Sequence, residues 1–187
     1  GIGEGDEVIL QGANCAVMFN AINRTGAKPI IVDIDLDTFG TCPRAIENNI
    51  SKRTKLIVAQ HSFGIPCKIE EIQKIAKKYK IFLLEDCALS FGSSVNNIKL
   101  GNWGDAALFS TDSSKSINTF IGGLLYTKNY NLFCKIKKYQ LDLPELSLKH
   151  KMSIYKRIIF EKYFYNPTFF NKGVLINYIF TFLSKVR

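Results

Sequence analysis

"KIEEIQKIAKKYKIFLLED", residues 68–86, holds a helix signal and a strand signal back to back. Over residues 68–79, Ile69, Ile72, Ile75, Ala76 and Tyr79 recur at three- and four-residue spacing and give a helix one apolar face. Its acids come early and its lysines late, the order that suits the helix dipole. The period then changes. Residues 81–86, "IFLLED", are an unbroken apolar run closed by two carboxylates, the pattern of a strand covered on both faces.

The alternation continues on both sides. Upstream, "DEVIL" (6–10) predicts a strand, and "AVMFNAINRTGAKP" (16–29) a helix closed by Gly26 with Pro29 just beyond. "PIIVDID" (29–35) predicts a buried strand, "CPRAIENNI" (42–50) a short helix with Pro43 in its first turn, and "KLIVAQ" (55–60) a strand. Downstream, "SVNNIKLG" (94–101) predicts a hairpin through Asn96-Asn97, and "AALFS" (106–110) and "GGLLYT" (122–127) two more strands. "NLFCKIKKYQL" (131–141) closes the series as a helix. Apolar strands separated by helices imply an α/β fold, a mostly parallel sheet sandwiched by helices. A large domain is expected over residues 1–140, with a basic, aromatic, helical segment over 141–187. The chain starts at Gly1 and enters a strand within a few residues, so more sequence is expected upstream.

Charge divides at nearly the same place. Residues 1–127 carry 13 basic and 13 acidic side chains, whereas residues 128–187 carry 12 basic and 3 acidic, the whole net charge of +9. A neutral front is enzyme-like, and the composition does not show a nucleic-acid binder. The five cysteines are widely spaced, odd in number and without a C-x-x-C, which reads as a reduced, cytoplasmic chain with no disulfide framework and no metal site. The most apolar window of the tail, "GVLINYIFTFL", is only 11 residues, too short to span a bilayer. Two readings of that tail stay open: a surface for acidic membranes or a polyanionic carrier, or core helices, interrupted by Pro167, with lysines on their wet face.

Ligands of such sheets collect beyond the carboxyl ends of the strands. Three stretches fall there: "QHSFG" (60–64), "EDCALS" (85–90) and "STDSSK" (110–115). Along a strand Glu85 and Asp86 point to opposite faces. Either one simply caps the next element, or Asp86 faces a cationic ring or a metal. Lys115 is either another solvated surface charge or an amine held for covalent work. Ser110, Ser113, Ser114, Ser116 and Thr119 supply hydroxyls for an anion, and Gly122-Gly123 permit close backbone approach. Amine, anion cup and carboxylate together are what a pyridoxal 5'-phosphate site requires.

The ordered series "GIGEGDEVIL", "NAINRTGAKPIIVDIDLDT", "TKLIVAQHSFGIPCKIEEI", "IFLLEDCALSFGS" and "LGNWGDAALFS", followed by "SK" and "IGG", resembles the DegT/DnrJ/StrS-type family of pyridoxal-phosphate-dependent sugar aminotransferases, within fold type I. The resemblance covers roughly residues 1–140. It implies that Asp86 pairs with the pyridinium nitrogen, that Ser110 binds the cofactor phosphate, and that Lys115 holds the cofactor covalently and shuttles a proton. His61 and Phe63 match a family segment near the site and receive a supporting role only. It further implies a homodimer that moves an amino group, from glutamate as donor, to a nucleotide-linked keto sugar for surface-glycan or amino-sugar biosynthesis.

This sequence departs from the pattern at several places. Leu89 stands where many relatives carry a glutamine that bonds the ring hydroxyl, and Ala13, Asn14 and Cys15 stand where an aromatic usually stacks on the ring. The glycine-serine-threonine phosphate cup, the Asn-rich stretch lent by the partner subunit and most of the small C-terminal domain have no counterpart in these residues. Those departures motivate the alternative of a non-catalytic member, a sensor or partner-binding remnant.

Overall fold

A computed structural model describes residues 1–164. The strands β1 (Glu7–Gln11), β2 (Lys28–Val32), β3 (Thr54–Gln60), β4 (Phe82–Asp86), β7 (Ala106–Ser110) and β8 (Gly123–Tyr126) form one six-stranded sheet in the order β2-β1-β3-β4-β7-β8. All neighbouring pairs run parallel except β7 with β8. The helices α1 (Ala16–Arg24), α2 (Pro43–Asn48), α3 (Ile69–Tyr79) and α4 (Tyr130–Leu141) connect or follow the strands. This is the α/β architecture that the alternating signals imply.

Two apolar clusters form on the sheet. One joins Ile9, Ile57 and Leu83 to Ile69, Ile72, Ile75 and Ala76 of α3, and the other joins Val8, Leu10 and Val58 to Ile22 of α1. Burying each isoleucine of α3 contributes roughly 1.5–3 kcal/mol, so α3 is held by its face. Tyr79, expected on that face, is instead 41% exposed and donates its hydroxyl to Glu47. Lys80 ends the helix in the left-handed region, φ 56°, and the Ile81 N–H closes the last turn on the Ala76 carbonyl. The hairpin is also present: Asn96 and Asn97, with φ of 47° and 63°, join β5 (Ser94–Val95) to β6 (Ile98–Lys99).

β2 differs from expectation. It stops at Val32 and is one of the two edge strands, so Ile31 is 59% exposed instead of buried. The carboxylate beyond it folds back: Asp35 Oδ1 accepts from the Asp37 and Thr38 N–H groups and from the Thr38 hydroxyl, while Lys68 pairs with Oδ2 at 2.7 Å. Glycine is needed at 101, where φ is +93° and a side chain would meet the Phe109 ring at 2.7 Å.

That glycine starts the loop around Glu85. The Glu85 side chain is fully buried and accepts N–H bonds from Gly101, Trp103 and Gly104, each at 2.7 Å. His61 faces its Oε2 at 3.4 Å. Burial alone would raise this carboxyl; the bonds from His61, Gly104 and Gly101 more than offset it, and Glu85 lies below the usual carboxylate range.

The chain divides into two compact units, the first ending at Leu141 and the second beginning at Asp142. In the second, α5 (Leu148–Phe164) starts under the Ser147 hydroxyl, which bonds His150 Nδ1 at 2.8 Å, and carries an Arg157–Glu161 ion pair at 2.9 Å. Among the described residues no helix is long and apolar enough to cross a membrane. Pro167 and the "GVLINYIFTFL" window lie outside the described residues.

Glu85→Gln places an amide donor against backbone donors. It should lower unfolding free energy in urea by about 3 kcal/mol; a loss below about 0.5 kcal/mol, as at an ordinary surface site, would contradict this account of the loop.

Candidate active site

The carboxyl ends of β1, β3 and β4 open into a cavity of about 580 Å³. From β1 comes the turn Gly12–Cys15, from β3 Gln60 to Phe63, from β4 Asp86, Ala88 and Leu89, and from the loop after β7 Lys115. Because Glu85 is turned into the core, the next side chain must leave by the other face, and Asp86 does so. Its Oδ1 accepts the Ala88 N–H at 3.0 Å, and its carbonyl accepts the His61 N–H at 3.1 Å. Only 7% of Asp86 is exposed. Burial raises its carboxyl above the usual range, with His61 and Lys115 pulling the other way.

Lys115 sits half-buried in the segment between β7 and β8. That segment is tied at its neck. Thr111 and Thr119 share a hydroxyl bond of 2.7 Å, the Thr119 N–H bonds the Thr111 carbonyl, and the Thr111 N–H bonds the Gly122 carbonyl. Thr119, expected in an anion cup, therefore spends its hydroxyl inside the loop. Gly123 also serves the chain itself: a side chain there would meet the Phe109 carbonyl at 2.8 Å, across the β7–β8 pairing. Asp86 and Lys115 are brought to one cavity. Ser110, half-buried and opposite Gly123, is not among the described residues lining it, nor are Ser113, Ser114 and Ser116.

His61 is buried, and the Cys67 N–H donates to its Nδ1 at 3.1 Å. The ring proton is therefore on Nε2 and points to Glu85. His61, Glu85 and Cys87 place ligand-type atoms within 4.8 Å of one another. Glu85 already serves three backbone donors and His61, so this is a hydrogen-bonded core in geometry. Phe63 is 77% exposed, holds a left-handed φ of 55° and meets Phe39 edge-on at 6.4 Å.

Ile34 and Phe39 line the cavity without being singled out in the sequence, and Gln60, within the 60–64 stretch, is given no role of its own there. Gln60 ends β3, and the rule that drew attention to 60–64 could have singled it out. Its Nε2 is fixed on the Ala13 carbonyl at 3.2 Å, which leaves Oε1 buried without a partner among the described residues. Asn14 is the mirror case: Oδ1 takes the Cys15 N–H, and Nδ2 is buried without a partner among the described residues. The cavity thus offers an unmatched acceptor, an unmatched donor, a buried carboxyl and an amine.

A raised carboxyl has a sign for stability. The folded chain holds the Asp86 proton at a pH where the unfolded chain has released it, so stability falls as pH rises through that window. Asp86→Asn keeps the acceptor for Ala88 and removes the buried charge. The ligand-free variant should melt higher than the parent at neutral pH, with the gap closing below the usual carboxylate range; an equal gap at both pH values would reject this.

With this geometry in hand, comparison with known proteins is direct. Residues 1–153 match the DegT/DnrJ/EryC1/StrS aminotransferase family. The GDP-perosamine synthase of Escherichia coli O157:H7 is 41% identical over 133 residues, 71% of this chain and 36% of that protein. The structure of DesI in the presence of its TDP-sugar product superposes with a TM-score of 0.70 at 31% identity, covering 76% of this chain and 37% of that one. NtdA from Bacillus subtilis with bound cofactor PMP gives 0.66 at 32% identity, covering 71% and 30%. The chain spans about a third of the length of these relatives.

Proposed function

The chain belongs to the DegT/DnrJ/EryC1/StrS aminotransferase family, and from that premise we propose that it serves a pyridoxal-phosphate-dependent transfer of an amino group to a nucleotide-linked keto sugar. The observation that carries the reading is that the Asp86 carboxyl and the Lys115 amine line one cavity at the carboxyl ends of the strands. The relatives named for GDP-perosamine and for a TDP-sugar product support a nucleotide-linked sugar, and the one carrying PMP supports the cofactor.

The residues of the cavity suit that cofactor. When bound, pyridoxal phosphate supplies an electron sink for the negative charge left on a carbon that loses its proton. Asp86 would face the ring nitrogen, where a cationic N–H restores the charge that burial disfavours. Lys115 would hold the aldehyde end and, once released by the amino donor, carry the proton between substrate and cofactor carbons. Gln60 and Asn14 offer their unmatched amide atoms to polar groups of the bound molecules. Ser110 is proposed for the phosphate from its place five residues before Lys115; the cavity lining does not add to that support. Glutamate as donor, a role in surface-glycan synthesis and a cytoplasmic setting belong to the same proposal. So does a homodimer, in line with the exposed apolar residues Leu124 and Leu125 on β8.

Leu89, 45% exposed at the cavity, offers no hydrogen bond, and Cys15 offers no ring to stack. These favour a second reading, a member that binds but does not turn over. Addition of pyridoxal phosphate should colour the protein yellow, and borohydride should then fix the label on Lys115 and be lost in Lys115→Ala. A label elsewhere, or none, rejects the site. Glutamate should then shift the absorption of an active protein; a labelled protein that does not respond to glutamate is the second reading.

A further inference from the structure

A second cavity, of about 600 Å³, opens at the other end of the sheet. It lies between the carboxyl end of α3 and the entries to β3, β4 and β7, a size common for small-molecule sites. Its charged lining is mostly cationic, Lys55, Lys77 and Lys80 against the single carboxylate of Asp105, with Gln73 and Trp103 beside them. Asp105 is partly committed, since its Oδ2 accepts the Leu83 N–H at 2.8 Å. An adjoining hollow shares Lys55 and Lys80 and adds Lys52.

Neighbouring cations are matched. Arg53 pairs with Glu7 at 2.7 Å and Lys78 with Glu47 at 2.7 Å. Among the described residues, no carboxylate lies within ion-pair distance of Lys52, Lys55, Lys77 or Lys80. Lys77 and Lys80 answer the carbonyl end of α3. Lys52 and Lys55 sit on the approach to β3 and have no such reason to gather here.

Trp103 lines the same cavity and holds its wall in place. Its Nε1 is buried in that wall and lacks an acceptor among the described residues. Its backbone is pinned on both sides, the N–H on Glu85 and the carbonyl by Gln73. Gln73 in turn accepts from Lys77 Nζ at 3.0 Å, so one lysine is tied to the same platform. We propose that this cavity binds a phosphate-bearing anion of two or more charges, with its oxygens on the lysines. Nothing in this inference depends on the cofactor site.

Trp103 is the chain's single tryptophan, so its fluorescence reports this cavity directly. The full chain is titrated with inorganic pyrophosphate and, in parallel, with uridine diphosphate, against sodium chloride of equal ionic strength. The expected result is a saturable change with phosphate ligand that persists in Lys115→Ala. In the doubly substituted Lys55→Ala/Lys80→Ala protein, binding should weaken by about ten-fold or more, since two charge-assisted contacts are lost. Both lysines are exposed, and an unchanged thermal melt would show that the variant folds. Tighter binding of uridine diphosphate than of pyrophosphate identifies a nucleotide; equal binding identifies the phosphate group alone. No saturable change, a change reproduced by salt, or one untouched by the double substitution overturns the proposal.

Discussion

Glu85 is ionised where ions are costly. A carboxylate taken from water into a sheet interior loses several kcal/mol of hydration, and only close, well-aimed donors restore it. Three backbone N–H groups and the His61 ring do so here. The consequences spread outward from that point. The 101–104 loop must wrap the end of β4, Gly101 must adopt a conformation closed to other residues, and His61 must present Nε2 inward. Because adjacent strand residues alternate, the commitment of Glu85 also decides which face Asp86 occupies. The cavity is set by a residue that does not enter it.

Much of this was legible in the residues. Ile69, Ile72, Ile75 and Ala76 gave α3 and its buried face, and Asn96-Asn97 gave the hairpin, because periodicity and turn chemistry are local. Strand direction brought 85–90 and 110–115 to one end of the sheet, and Asp86 and Lys115 both line the cavity there. Other features depended on information no local window holds. Ile31 is as apolar as any core residue, yet it lies on an outer strand, and strand order is a property of the whole sheet. Thr119 resembled an anion ligand because its partner, Thr111, pairs with it only once the loop has closed. Gln60 carried no motif; its importance comes from Ala13 holding one end of the amide and leaving the other unmatched.

The sheet has an uneven finish. Its centre is dry, whereas β8 is exposed at all four residues and α4 has no buried side chain. Outer strands with free backbone groups and apolar side chains invite a covering surface. The chain spans about a third of its relatives' length, and the described residues leave this outer strand bare.

The bonds between Thr111, Thr119 and Gly122 make the Lys115 segment a small ring closed at its neck. A ring of fixed circumference limits how far its contents can wander, so the reach of the amine is governed by the clasp more than by the residues beside it. Loss of either threonine hydroxyl would remove one bond of that clasp and leave its two backbone bonds to hold the neck.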